Sequence, residues 1–191
     1  MKNSFDYLTG RENPFLEDFE GVLVHKEIVT PLQNLKELAK KEIGAELRVI
    51  SGHRNYKRQE LIWNLKASGE RKILDDKGLQ VNIENSTPED ILNAIMRFSA
   101  IPGASRHHWG SDIDVYDAAK CEKSKVQLTP DECEQGGVFF ELHSWLSEKI
   151  QRNKSFGFYR PYNTDQGGVH PEAWHISHYS TSNELYKDYS L

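Results

Sequence analysis

Helix-starting signals crowd the first part of this chain and short alternating runs gather toward its end, an order that restricts the possible folds more than any other feature. Thr30-Pro31 predicts a helix start, with Thr as N-cap and Pro at the first helical position, where a missing N–H costs nothing. Leu32, Leu35, Leu38 and Ala39 then share one face, and Gly44 supplies a C-cap. Asn55 caps a second helix with Leu61, Ile62 and Leu65 as its apolar stripe and Gly69 at its close. Thr87-Pro88-Glu89-Asp90 opens a third, with Ile91, Leu92, Ile95 and Met96 inward, and Phe139, Leu142, Leu146 and Ile150 mark a further one. The strand candidates are Glu46–Ile50, then Asp112-Ile113-Asp114-Val115 with both carboxylates on one face, then short runs around Phe156–Tyr159 and Ala173–Ile176. This order predicts an α+β fold with a small, mostly antiparallel sheet flanked by helices.

A chain of 191 residues suits one domain, here with residues 1–27 as an N-terminal extension. Residues 117–137 are polar, hold both cysteines and end in Gly136-Gly137, which reads as a surface insertion. No apolar run approaches the roughly 20 residues of a membrane span, so no transmembrane segment is expected. The N-terminal segment lacks the apolar stretch of a secretory signal. A net charge of −5 with no Lys/Arg cluster argues against a nucleic-acid partner, since such binding relies on releasing phosphate counterions. Two cysteines cannot build a disulfide scaffold; Cys121 and Cys133 either close one surface loop or remain free thiols.

Histidine is the informative residue type. Five of the eight fall in two short clusters, His107 and His108, then His170, His175 and His178, the second interleaved with Glu172. Neutral imidazole is the commonest metal ligand, and a catalytic zinc typically takes three protein ligands from His, Asp or Glu. The helical zinc signature H-E-x-x-H is absent. Arg54 ends the loop Ser51-Gly52-His53-Arg54 after a strand, a usual place for a binding residue.

These segments carry a resemblance. Ser105-Arg106-His107-His108-Trp109-Gly110-Ser111-Asp112-Ile113-Asp114 resembles the S-x-H-x-x-G-x-A-x-D motif of VanY-type D-alanyl-D-alanine carboxypeptidases and related dipeptidases. Glu172-Ala173-Trp174-His175 is similar to their E-x-W-H motif, and Ser51-Gly52-His53-Arg54, with Gln59 after it, to the S-G-Y-R…Q segment that precedes both. The wider superfamily includes lysostaphin-like peptidases and hedgehog domains, which share a small antiparallel sheet around one zinc.

The resemblance implies one zinc ion held by His107, Asp114 and His175, with Glu172 as catalytic base. It implies that Arg54 grips a substrate carboxylate or steadies the oxyanion, and that Ser105 and Gln59 contact substrate. One departure stands out: the family commonly has a small residue where this chain has Asp112, which either orients a ligand histidine or competes for the metal. Glu172 and His175 are three apart, so an undistorted strand would point them oppositely and a break between them is expected. The implied activity is hydrolysis of a peptide bond in bacterial peptidoglycan stem peptides, by a D-alanyl-D-alanine carboxypeptidase. The alternatives are a related endopeptidase or a zinc-stabilised binding domain without catalysis. Peptidoglycan lies outside the cytoplasmic membrane, which implies an extracytoplasmic site of action. The oligomeric state is left open.

Overall fold

The computed structural model describes residues 4–75 and 79–189. A short helix, α1 (Ser4–Leu8), leads to a hairpin of β1 (Leu16–Phe19) and β2 (Val22–His25). Its two turn residues, Glu20 and Gly21, both have positive φ, 56° and 83°, the geometry whose twist suits a two-residue hairpin loop. Phe19 and Val24 bury into the main core, so part of the expected N-terminal extension builds the fold.

Helix α2 (Val29–Ile43) begins ahead of the expected Thr30 cap. A 3₁₀ turn, Lys26–Ile28, runs into it, and the cap is His25, whose Nδ1 accepts the Glu27 N–H at 3.2 Å. Pro31 still falls in the first turn, where the lost N–H costs little. Leu32, Leu35 and Ala39 are fully buried, Leu38 packs at the core edge, and Gly44 ends the helix at φ 69°. Strand β3 (Leu47–Ser51) follows, then α3 (Tyr56–Ala67), capped by Asn55 as expected. The stripe expected on α3 is corrected: Leu61 is exposed, and the buried face consists of Gln59, Ile62 and Lys66. Helix α4 (Pro88–Phe98) carries the anticipated Thr87–Asp90 capping box. Of its four expected inward residues only Ile95 is buried, while Leu92 and Met96 are exposed.

Strand β4 (Asp112–Asp117) is buried along its whole length. The polar stretch after it contains a 3₁₀ turn and a short helix, α5 (Pro130–Cys133). Cys121 is half-buried and Cys133 buried, and both are free thiols. Burial pushes the Cys133 thiol up to about 12. Because the thiolate is the reactive species, a thiol reagent should titrate one cysteine rapidly in native protein and both after denaturation. Two rapid thiols, or none, would contradict this placement.

Helix α6 (Phe140–Gln151), strands β5 (Phe158–Tyr159) and β6 (His175–His178), and helix α7 (Tyr179–Tyr189) complete the chain. The last strand starts two residues later than the sequence suggests, because Ala173 and Trp174 lie in a turn. The sheet order is β3-β4-β6-β5, all antiparallel, in agreement with the α+β expectation. Period-two alternation divides its residues between two faces. Leu47, Val49, Ile113, Val115 and Ile176 pack in the core with Leu32 and Leu35 of α2 and Leu142 and Leu146 of α6. Each such buried aliphatic side chain stabilises by about 1.5–3 kcal/mol. The opposite face of the sheet is left for Asp112, Asp114, His175 and Ser177. Among the described residues, no helix is long and apolar enough to cross a membrane.

Candidate metal centre and active site

The histidine motif folds as a 3₁₀ turn, Arg106–Trp109, stopped by Gly110 at φ 72°. A Cβ on Gly110 would come within 2.9 Å of the His25 backbone nitrogen, so glycine is required where β2 crosses the turn. The turn aims two adjacent histidines apart. His108 is held structurally, its Nδ1 donating to the Arg54 carbonyl at 2.5 Å and its Nε2 accepting the Gly103 N–H at 3.1 Å. His107 donates Nδ1–H to the Gly52 carbonyl at 3.0 Å, which leaves Nε2 facing Asp114 Oδ2 at 3.3 Å.

Cross-strand register brings in the remaining groups. Asp114 of β4 lies opposite His175 of β6, and Asp112 lies opposite Ser177. His175 Nδ1 is 3.1 Å from Asp114 Oδ1, and Nε2 is 3.1 Å from Asp112 Oδ1. One potential ligand atom each from His107, Asp114 and His175 falls within 4.8 Å of the others, and all three residues are buried. Two imidazole nitrogens and a carboxylate, each histidine fixed through its other nitrogen, fit a catalytic zinc site. His170 lies apart, stacked on Phe98, and His178 bonds to Thr181.

Burial disfavours charge on His175, but the two aspartates outweigh it and push its pKa up to about 10. His107 moves downward because burial dominates there. Asp114 is held well below the usual carboxylate range by both histidines, against the opposing effect of burial.

Glu172 lies just before β6, in the break expected from its spacing to His175. Its backbone N–H donates to the Tyr162 carbonyl at 3.0 Å, and its own carbonyl accepts the His175 N–H at 3.3 Å. The side chain brings Oε2 to 3.5 Å from His175 Nδ1. Burial, reinforced by the Asp114 charge, pushes its pKa up to about 7 against the pull of His175, Arg54 and Lys66. That is close to the range in which a carboxylate serves as general base at neutral pH.

Arg54 enters from the loop after β3, its guanidinium donating to Gln59 Oε1 at 2.9 Å and Ser51 Oγ at 3.1 Å. These partners are neutral, and among the described residues the guanidinium forms no ion pair. Burial moves its pKa downward, against the opposing charges of Asp114 and Glu172. Gln59 is fully buried, donating its amide N–H to the Ala100 carbonyl at 2.6 Å while its Oε1 accepts from Arg54. Ser105 is buried at the head of the 3₁₀ turn, where its carbonyl accepts the His108 N–H and its hydroxyl makes no capping hydrogen bond.

Sequence reasoning left several neighbours unassigned. Lys66 on α3 is buried, bonded to Ser99 Oγ at 2.8 Å, and lowered to about 8 chiefly by burial, with Glu172 opposing. The Tyr162 ring sits 5.0 Å from the His175 ring. Arg106 pairs with Asp112 at 2.6 Å. Trp109, by contrast, is a packing residue whose indole N–H donates to the Leu8 carbonyl at 3.1 Å. Arg160 ties the Ala173 carbonyl to Ser147 and His143 of α6.

Residues 21–181 match the family described as VanY, D-alanyl-D-alanine carboxypeptidase. An uncharacterized protein of Haemophilus influenzae is 41% identical over 81 residues, a segment covering 41% of this chain and 60% of that protein. Among solved structures, VanYB in complex with D-alanine-D-alanine superposes with a TM-score of 0.63 at 23% identity, covering 91% of this chain and 82% of that one. A variant of the vancomycin-resistance D,D-pentapeptidase VanY in complex with Zn(II) gives 0.61 at 24% identity, covering 94% and 88%. These structures share the fold described above, and the family match extends across all three motif segments: the chain belongs to the VanY D-alanyl-D-alanine carboxypeptidase family.

Proposed function

We propose that this protein is a zinc-dependent carboxypeptidase that removes the terminal D-alanine from peptidoglycan stem peptides ending in D-alanyl-D-alanine. The observation that carries the reading is the convergence of His107, Asp114 and His175 within 4.8 Å, with Glu172 at 3.5 Å from His175. A structural site needs no general base; a hydrolytic one does, which favours catalysis over a binding domain.

His107 Nε2, His175 Nδ1 and Asp114 would hold the ion. Zinc bound there supplies Lewis acidity to a peptide carbonyl and to an attacking water. Glu172 accepts the proton of that water as its oxygen adds to the carbonyl carbon. Glu172 then delivers the proton to the departing amine nitrogen as the C–N bond breaks, giving free D-alanine and a peptide shortened by one residue. Arg54, with its fork oriented by Gln59 and Ser51, holds the terminal carboxylate of the substrate. Because peptidoglycan is its substrate, the protein acts outside the cytoplasmic membrane.

Mass spectrometry of defined muropeptides tests this. Zinc-loaded protein should shorten pentapeptide stems by the mass of one alanine residue, and chelator-treated protein should not. Cleavage within a stem or cross-bridge would identify an endopeptidase instead, and intact substrates would refute the hydrolase reading.

A further inference from the structure

We infer that Arg106 and Asp112 form a positioning pair that fixes His175 with Nδ1 toward the metal and sets how strongly that nitrogen donates. This rests on the reading of His107, Asp114 and His175 as a zinc site.

Asp112 is fully buried, and both of its oxygens are occupied. Oδ1 accepts Arg106 Nε–H at 2.6 Å and His175 Nε2–H at 3.1 Å. Oδ2 accepts the hydroxyls of Ser111 at 2.8 Å and Ser177 at 3.0 Å. Arg106 extends the network, donating to Tyr159 Oη at 3.0 Å and Ser177 Oγ at 2.9 Å, while its guanidinium lies 4.9 Å from the centre of the Trp109 ring. The turn that carries His107 is thereby tied to the strands that carry Asp114 and His175.

This geometry answers the two roles open to Asp112. It meets the imidazole at the nitrogen opposite the one facing Asp114, so it supports His175 rather than competing for the ion. A neutral imidazole carries one N–H; once Asp112 takes it at Nε2, the lone pair must lie on Nδ1. A carboxylate on the outer nitrogen makes a ligand histidine more basic. Arg106 shares that carboxylate's charge and so moderates the effect.

The pair makes predictions of opposite sign. Asp112→Asn preserves shape: its carbonyl can accept as before, and its amide N–H groups meet serine hydroxyls able to turn and accept. Only the charge is lost, and zinc affinity measured by chelator competition on the full chain should fall about 10–100-fold. Arg106→Gln removes the guanidinium charge and leaves the carboxylate to His175 and the two serine hydroxyls. It should bind zinc at least as tightly as wild type in the same chelator competition. A purely structural role would weaken both variants together. Equal shifts in one direction, or affinities all within about twofold, would overturn the inference. If Asp112→Asn fails to fold with Arg106 unpaired, the double variant R106Q/D112N removes both charges. It should bind zinc about tenfold or more weakly, and wild-type affinity would overturn the inference. Wild-type protein that takes up no zinc would instead refute the underlying metal reading, and the inference with it.

Discussion

Glu172→Gln should lower kcat on D-alanyl-D-alanine peptides by about 100- to 10,000-fold, the usual contribution of a positioned general base. The amide matches the carboxylate in size and keeps a hydrogen-bonding oxygen, but it cannot take a proton from water. The backbone that places residue 172 does not depend on the side chain, because its N–H is bound to the Tyr162 carbonyl and its carbonyl to the His175 N–H. Stability should not fall with activity. Burial raises the Glu172 pKa to about 7, above the ordinary carboxylate value, so its ionised form is disfavoured in the folded protein. That cost is absent below the unfolded-state pKa and grows as pH rises through the range between the two values. At neutral pH the neutral variant should therefore melt at the same temperature or higher. Steady-state kinetics beside thermal melting checks both halves. Activity within tenfold of wild type would remove Glu172 from the mechanism, whereas lost activity with a collapsed melting curve would assign it a structural role.

Arg54→Ala should reduce kcat/KM on short peptides by about 100- to 1,000-fold, comparable to deleting an oxyanion donor. The guanidinium donates to Gln59 and Ser51, both neutral, so its charge remains available to an anionic partner. The division between constants tells which partner it serves. If Arg54 grips the terminal carboxylate, the loss falls mainly on KM, and a C-terminally amidated peptide, already a poor substrate, loses little more. If Arg54 steadies the oxyanion, kcat falls and amidation does not mask it. Arg54→Lys should recover only part of the activity, since an ammonium cannot reproduce a two-nitrogen fork. A loss below about fivefold on short peptides would favour an endopeptidase, which has no terminal carboxylate to hold.

The parts of the fold that were legible in the sequence are those where local chemistry and tertiary packing agree. Asn55, Thr87 and Gly44 cap helices as their side chains and backbone freedom suggest, and the alternation at 112–115 marks a strand with both aspartates on one face. Helix α3 is instructive for the opposite reason. Hydrophobic periodicity points Leu61 inward, yet the buried face is Gln59, Ile62 and Lys66, because that face supports the site and its burial is repaid by hydrogen bonds to Arg54 and Ser99. A pattern argument misleads where a functional surface is turned inward. The β1–β2 hairpin escaped notice because its strands are four residues long and half exposed, leaving little alternation. Among the described residues of α7 only Ser182 is buried, so the helix has no apolar stripe to read. At the site, spacing alone did not separate His107 from His108; the family resemblance implied His107, while the partners of Asp112 come from the turn at Arg106 and from Ser177 across the sheet, a relation that no local pattern encodes.

The pairing of β4 with β6 joins Asp114 to His175 and Ile113 to Ile176 at neighbouring rungs. Parity along these two strands therefore sorts mutations into kinds: 112, 114, 175 and 177 lie on the face of the proposed zinc site, while 113, 115 and 176 lie in the core. A slip of one residue between the strands would exchange the two classes, setting aliphatic groups against the proposed zinc position and carboxylates against the core. On the zinc reading, stoichiometric metal uptake would report strand alignment, and misregistered chains would fail to take up metal even where secondary structure content looks native.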